Sequence, residues 1–222
     1  MMFRLFAALV FAAALAMPSQ AAGKILRLAP MDEGPRDASF LNFRNDFKAI
    51  IARKDAAALM KIVTPNIKNS FGGDDGARNF KKMWKPADPK SPVWPVLKLV
   101  VDMGGNFDSK TAFSAPYVFS AFPSDVDGFE TVAVTAVNAV MRAKPNAEAA
   151  MVRQLDHDIL NLTAGARKLQ HEAGPGDWLE VSDAAGKRGF VLQRDVRSPI
   201  DFRAGFEKKK GRWRMTDLVV GD

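Results

Sequence analysis

The stretch DWLEVSDAAGKRGFVLQRDV, Asp177 to Val196, decides how the rest of the chain is read. Leu179 and Val181 alternate with polar neighbours. Asp183-Ala-Ala-Gly186 supplies a polar turn, and Gly189-Phe190-Val191 resumes the apolar run. Alternation, a glycine-containing turn and renewed alternation predict two strands joined as a hairpin, closed by a short basic segment. A small β-barrel needs such a hairpin as its second half.

Working upstream, the period of two persists. Val132–Ala136, Ala139–Arg142, Met151–Leu155 and Ile159–Leu162 are short strand-like runs separated by turns, and Trp178–Val181 and Gly189–Leu192 complete the set. Many short strands at close spacing are the pattern of a small barrel. Gly165–Gly176 reads as a longer, charged loop between two of them. Downstream, Ile200–Phe206 and Trp213–Val220 read as two longer strands, with Lys208-Lys-Lys-Gly211 turning between them. That hairpin is too long to belong to the barrel.

The first half has a helical period instead. Asp37 and Ser39 precede Phe40, Phe43, Phe47, Ile50 and Ile51, an apolar stripe with Arg44, Lys48 and Arg53 on the other side. This predicts a capped amphipathic helix whose aromatic stripe packs into a core. Asp55 caps a second helix carrying Leu59, Ile62 and Val63, stopped by Pro65. Ala77–Trp84 reads as a short helix with Phe80, Met83 and Trp84 inward, and Val96–Met103 as another. The FGGDDG stretch, 71–76, lacks the spaced ligands and terminal Glu of an EF-hand loop, so it reads as a turn whose aspartates cap the next helix. Phe113, Tyr117, Phe119 and Phe122 fall in a loop-like or extended setting, where their rings plug a groove or else line one, plugging being favoured because loops rarely expose so many rings. A short strand-like piece, Ile25–Leu28, precedes all of this.

Arg4 is the only charge before an apolar run from Leu5 to Met17, and Pro18 and Ser19-Gln20-Ala21 follow. This is the pattern of a secretory signal cleaved after Ala21. The run is shorter than the roughly 20 residues that span a bilayer. The expected mature chain is therefore periplasmic or secreted, with no stable membrane insertion after signal cleavage. The chain has 32 Lys and Arg against 25 Asp and Glu, a net charge of +7, and no cysteine. A disulfide framework and any thiolate metal site or nucleophile are excluded. The basic residues are interleaved with acids, which argues against a nucleic-acid partner. The expected organisation is a signal peptide (1–21), a helical or α+β part (22–130), a small barrel (131–197) and a closing hairpin (198–222). The fold class is α+β.

Asn138 to Val196 resembles bacterial SH3-like (SH3b) domains. Val140-Met-Arg-Ala-Lys-Pro145 is similar to their opening strand, which ends in Arg and runs into a small-Pro-polar loop. Met151–Leu155 matches the next strand, and Trp178–Val181, Gly186 and Gly189–Val191 match the later ones. The departures are a longer loop before Trp178, and Lys144 where Gly or Ser is more common. The resemblance implies binding of an extended ligand on Trp178 and the loop from Arg142 through Lys144 to Asn146, with Trp178 either in that surface or in the core. For an exported, basic chain it implies peptidoglycan or another envelope component as partner. The flanks faintly resemble a nuclear transport factor 2-like, cystatin-like cone, through Ala49-Ile50, Lys54-Asp55-Ala56 and Gly211–Met215. This implies a barrel inserted between the opening helices and the closing hairpin, with Phe202, Phe206, Trp213 and Leu218 beneath Phe43 and Phe47. A simple tandem is the rival arrangement.

Catalytic signals are weak. The two histidines, His157 and His171, belong to no HExxH or His-x-His pattern, and no serine sits in a nucleophile elbow. Asp156-His157-Asp158 reads as a solvated turn. No cofactor and no metal is expected. The reading is thus of a non-catalytic binding or adaptor protein. The alternatives are a structural or protein–protein interaction factor, and an enzyme with a cone-shaped pocket. The sequence leaves the oligomeric state open.

Overall fold

The computed structural model describes residues 25–169 and 174–221; the signal reading of 1–21 lies outside them, as does His171. In chain order the helices are α1 (Ala38–Arg53), α2 (Ala56–Ile62), α3 (Ala77–Trp84), α4 (Val93–Asp102), α5 (Tyr117–Ser120) and α6 (Ala164–Leu169). The strands are β1 (Val63–Lys68), β2 (Asn106–Ser109), β3 (Ala112–Ala115), β4 (Thr131–Val134), β5 (Val140–Arg142), β6 (Met151–Gln154), β7 (Ile159–Leu162), β8 (Trp178–Ser182), β9 (Arg188–Leu192), β10 (Val196–Arg197), β11 (Arg203–Lys209) and β12 (Arg212–Val219). The fold class is α+β, with two mostly antiparallel sheets.

Local chemistry sets the helix ends. The Asp37 carboxylate accepts from the Phe40 N–H at 2.8 Å and Asp55 from the Ala58 N–H at 2.9 Å, so both act as N-caps. Helix α1 stops at Lys54, which adopts the left-handed conformation with φ 52°. Several expectations for this half need correction, among them that for Phe119, which is 40% exposed and plugs no groove. Pro65 does not simply stop a helix: α2 runs directly into β1, where Pro65 sits in a strand at the sheet's edge, the place where a missing N–H is tolerated. Met83 is 47% exposed, because α3 buries only the pair Phe80 and Trp84, one turn apart. The aspartates of 71–76 do not cap α3, whose N-cap is Gly76; Asp75 instead accepts from the Asn69 N–H at 3.1 Å.

The first sheet has the order β1-β12-β11-β3-β2, with β1 parallel to β12 and the other pairs antiparallel. The closing hairpin is therefore its centre, paired with strands from the first half of the chain. Helices α1 and α4 lie on one face over an aromatic core. The Phe40 ring centroid is 4.1 Å from Phe113 and 4.9 Å from Trp213, and Phe43 and Phe47 each lie 5.8 Å from Phe206. The Trp213 indole N–H donates to Ser39 Oγ at 3.0 Å, tying the hairpin to the start of α1.

The second sheet has the order β10-β4-β7-β8-β9-β5-β6, antiparallel throughout, with β10 and β6 at its edges. Its core is aliphatic: Val132, Val134, Met141, Leu155, Leu160, Leu162, Leu179, Val181, Val191 and Val196 are all buried. Strands β4 and β10 pair, Val134 opposite Val196, so the chain enters and leaves this sheet side by side. A third cluster of Leu28, Tyr117, Val118, Ala133 and Ile159 joins the two sheets. The piece at 25–28 docks there through Leu28 N–H to His157 O at 2.8 Å and Ile159 N–H to Leu26 O at 2.9 Å. Arg197 is buried at the crossing, with Nη1 3.1 Å from Asp201 and Nη2 donating to Phe202 O at 2.7 Å. Among the described residues, no helix is long and apolar enough to cross a membrane.

Candidate ligand-binding face

Side chains alternate across a strand, so each strand of the second sheet has an inward and an outward set. On β8, Leu179 and Val181 are buried inward, which turns Trp178, Glu180 and Ser182 outward. On β9, Gly189 and Val191 face inward and Arg188, Phe190 and Leu192 outward. A side chain at Gly189 would meet Met141 at 2.5 Å, so glycine there lets Met141 fill the core. Register aligns the outward sets: Trp178 opposite Leu192, Glu180 opposite Phe190, and Phe190 opposite Arg142 on β5.

Trp178 and Arg142, both singled out from the sequence, thus share one face, with β9 between their strands, a lateral separation of about 10 Å. Trp178 is half-buried, which places it in the outward surface and not in the core cluster. Arg142 Nη1 donates to Ala149 O at 2.7 Å and so braces the loop at 143–150 against the sheet. Within that loop the Asn146 N–H bonds Lys144 O at 2.8 Å, and both Lys144 and Asn146 are exposed. Phe190, Leu192 and Glu180 belong to the same face although sequence reasoning passed over them. The signal for them is the alternation itself: once Leu179 and Val191 are assigned inward, the aromatic residue between Gly189 and Val191 must point outward.

One reading of this region is corrected. Asp158 does not lie in a solvated turn; it is fully buried. Arg153 Nη2 lies 3.1 Å from its Oδ1, and Arg153 Nε donates to Asp183 at 3.1 Å. Asp183 also accepts from the Ala185 and Lys187 N–H groups, at 3.0 and 2.9 Å. One guanidinium therefore locks two buried carboxylates, the turn at 156–158 and the β8–β9 hairpin together. Among the described residues, no three His, Asp or Glu side chains converge to hold a metal ion. The interior between α1, α4 and the first sheet is filled by rings, leaving a cavity of only about 10 Å³ beside Phe40, Phe43, Phe47 and Phe206.

The outward face offers ring faces and aliphatic surface between cationic Arg142 and Arg188 and anionic Glu180. Such a strip can stack on a sugar ring or an apolar side chain while the flanking charges bond carboxylates or amides. Set against protein-family models, curated proteins and solved structures, the chain matches none.

Proposed function

We propose that this chain is an exported, non-catalytic binding or adaptor protein whose SH3-like unit, residues 131–197, holds an extended envelope ligand, peptidoglycan first. The contact surface is Trp178 with Phe190 and Leu192, bordered by Arg142, Lys144 and Asn146. One observation carries this reading. Trp178 and Phe190 are the only Phe, Trp or Tyr residues between 131 and 197, and both sit outward on one face, half-buried, while the interior is wholly aliphatic. Partly exposed rings beside an arginine are suited to a partner. The adjacent entry and exit strands, β4 and β10, support an inserted unit. The helices packed on the five-stranded sheet support a nuclear transport factor 2-like, cystatin-like frame around it.

The test is sedimentation with purified cell-wall sacculi at low and moderate salt. The protein should pellet with sacculi and stay bound as screening rises, since nonspecific charge attraction fades with salt. Trp178→Ala should weaken retention about tenfold or more, as for a central aromatic anchor. Unchanged retention of that variant would remove the face from the proposal. A second reading has its own observation. Strand β6 pairs only with β5 and leaves Met151 62% exposed at the sheet edge. An open edge can accept a strand from a partner protein. Sacculus binding that fails while a partner is captured through β6 would favour that reading.

A further inference from the structure

A second site lies in the other half of the molecule. Along the outer side of the α1–α4 pair runs a groove of about 620 Å³. Ala52 and Pro95, both exposed, form its apolar lining over Ile51, Trp94 and Val101, which are almost completely buried. Three lysines, Lys48, Lys54 and Lys98, line the same groove with one carboxylate, Asp102. Lys48 Nζ lies 2.9 Å from Asp102, Lys98 donates to the same carboxylate, and Lys54 Nζ donates to Pro89 O at 2.6 Å. Each ammonium carries three N–H donors, so these single bonds leave most of them open.

We infer that the α1–α4 groove binds a free single-chain anionic amphiphile, its hydrocarbon tail along Ala52, Pro95 and the aliphatic stems of the lysines and its carboxylate among Lys48, Lys54 and Lys98. Two arguments select this occupant. The charge is complementary: three cations against one anion leave an excess of positive charge beside an apolar lining, which repels a cationic head and attracts an anionic one. The size is that of a small-ligand pocket, about 300–1,000 Å³. A stable protein partner would instead cover on the order of 800 Å² of this surface. The site is independent of the Trp178 face and lies on a different sheet's helices.

The experiment is calorimetric titration of the purified protein with myristate below its micelle concentration, beside tetradecyltrimethylammonium, which carries the same tail with a cationic head. Myristate should bind at least about tenfold more tightly. Ala52, exposed in the last turn of α1 and lining the groove, gives a variant that fills the site without touching the core. Ala52→Trp should abolish binding with an unchanged circular dichroism spectrum. The double variant Lys54→Gln, Lys98→Gln should keep tail affinity and lose the preference for the anion. Trp178→Ala should bind myristate as the parent does. Equal affinity for the two amphiphiles overturns the inference, as does undiminished binding by Ala52→Trp. So does binding to phosphatidylglycerol vesicles without binding to free myristate, which would report only attraction of a basic surface to a membrane.

Discussion

The two sheets solve the packing problem with opposite residues. The helix-covered sheet is built on rings: Phe40, Phe47, Phe80, Trp84, Trp94, Phe113, Phe206 and Trp213 are all in its core. The seven-stranded sheet has none inside and is filled by Val, Leu and Met. The geometry of the layers accounts for this. A helix lying over a sheet leaves a broad gap that large rings span well. The seven-stranded sheet, with short strands and edges at β10 and β6, is instead packed by small branched side chains. Buried rings thus belong to the first sheet's core, whereas the two rings of the second sheet, Trp178 and Phe190, lie outward.

The largest effect expected from that contrast is at Phe40, whose ring touches α1, β3 and the closing hairpin at once. Phe40→Ala should cost about 3–5 kcal/mol, read from the urea midpoint. Because the chain reaches the hairpin only after passing through the second sheet, the loss should appear in the fluorescence of Trp84, Trp94 and Trp213. Trp178, the lone tryptophan of the other sheet, should report it less. If all four respond together with one midpoint, the two cores are a single cooperative unit and the contrast is one of composition only.

Next in size is the buried charge cluster of the aliphatic sheet, in which one guanidinium holds two carboxylates. Arg153→Met leaves Asp158 and Asp183 without their cation, and removing one partner of a buried pair costs about 3–5 kcal/mol. The change should loosen the β8–β9 hairpin first, seen as faster amide exchange at 183–189. A variant as stable as the parent would mean that water reaches both carboxylates.

Much of this was legible in the residues. Strands β8 and β9 can be placed from alternation, β4 and β7 from short apolar runs, and Asp37 and Asp55 announce their helices by cap chemistry. What escapes is non-local. β1 reads as the stopped end of a helix because Pro65 is tolerated only once the strand lies at a sheet edge. Strands β2 and β3 are hidden in an aromatic-rich stretch that looks like a loop until β11 pairs with it. Asp158 looks solvated because its partner, Arg153, is on the opposite side of a turn. At the candidate face, Trp178 and Arg142 stand out by type. Phe190 joins them only through the register that sets it opposite Arg142.

The sharpest local version of the comparison is a pair of neighbours. Trp178 points outward and Leu179 inward on the same strand. Trp178→Ala should lower stability by less than about 1 kcal/mol, whereas Leu179→Ala should cost about 2–5 kcal/mol. Chemical denaturation of the two variants decides it. A Trp178→Ala loss as large as that of Leu179→Ala would return the ring to a structural role, and any binding defect would then be secondary to unfolding.

The smallest expected effect is on the open face of the first sheet. Asp217 sits half-buried above Gly205, where a side chain would meet its carboxylate at 2.0 Å. Burial pushes its pKa up, against the lowering effects of the Thr216 hydroxyl, the Gly205 N–H, Arg203 and Lys68. The folded state therefore holds this proton to higher pH than the unfolded chain does. Stability must then fall as pH rises from about 4 through the folded-state pKa, and stay lowered above it. Asp217→Asn removes the titration and keeps an acceptor for the Gly205 N–H. The variant should match or trail the parent near pH 4 and gain on it as pH approaches about 7, read from melting temperatures across that range. If the variant instead loses ground as pH rises, the attraction of Arg203 and Lys68 outweighs burial. The open face of the first sheet would then be held by an ion cluster, as the second sheet is by Arg153.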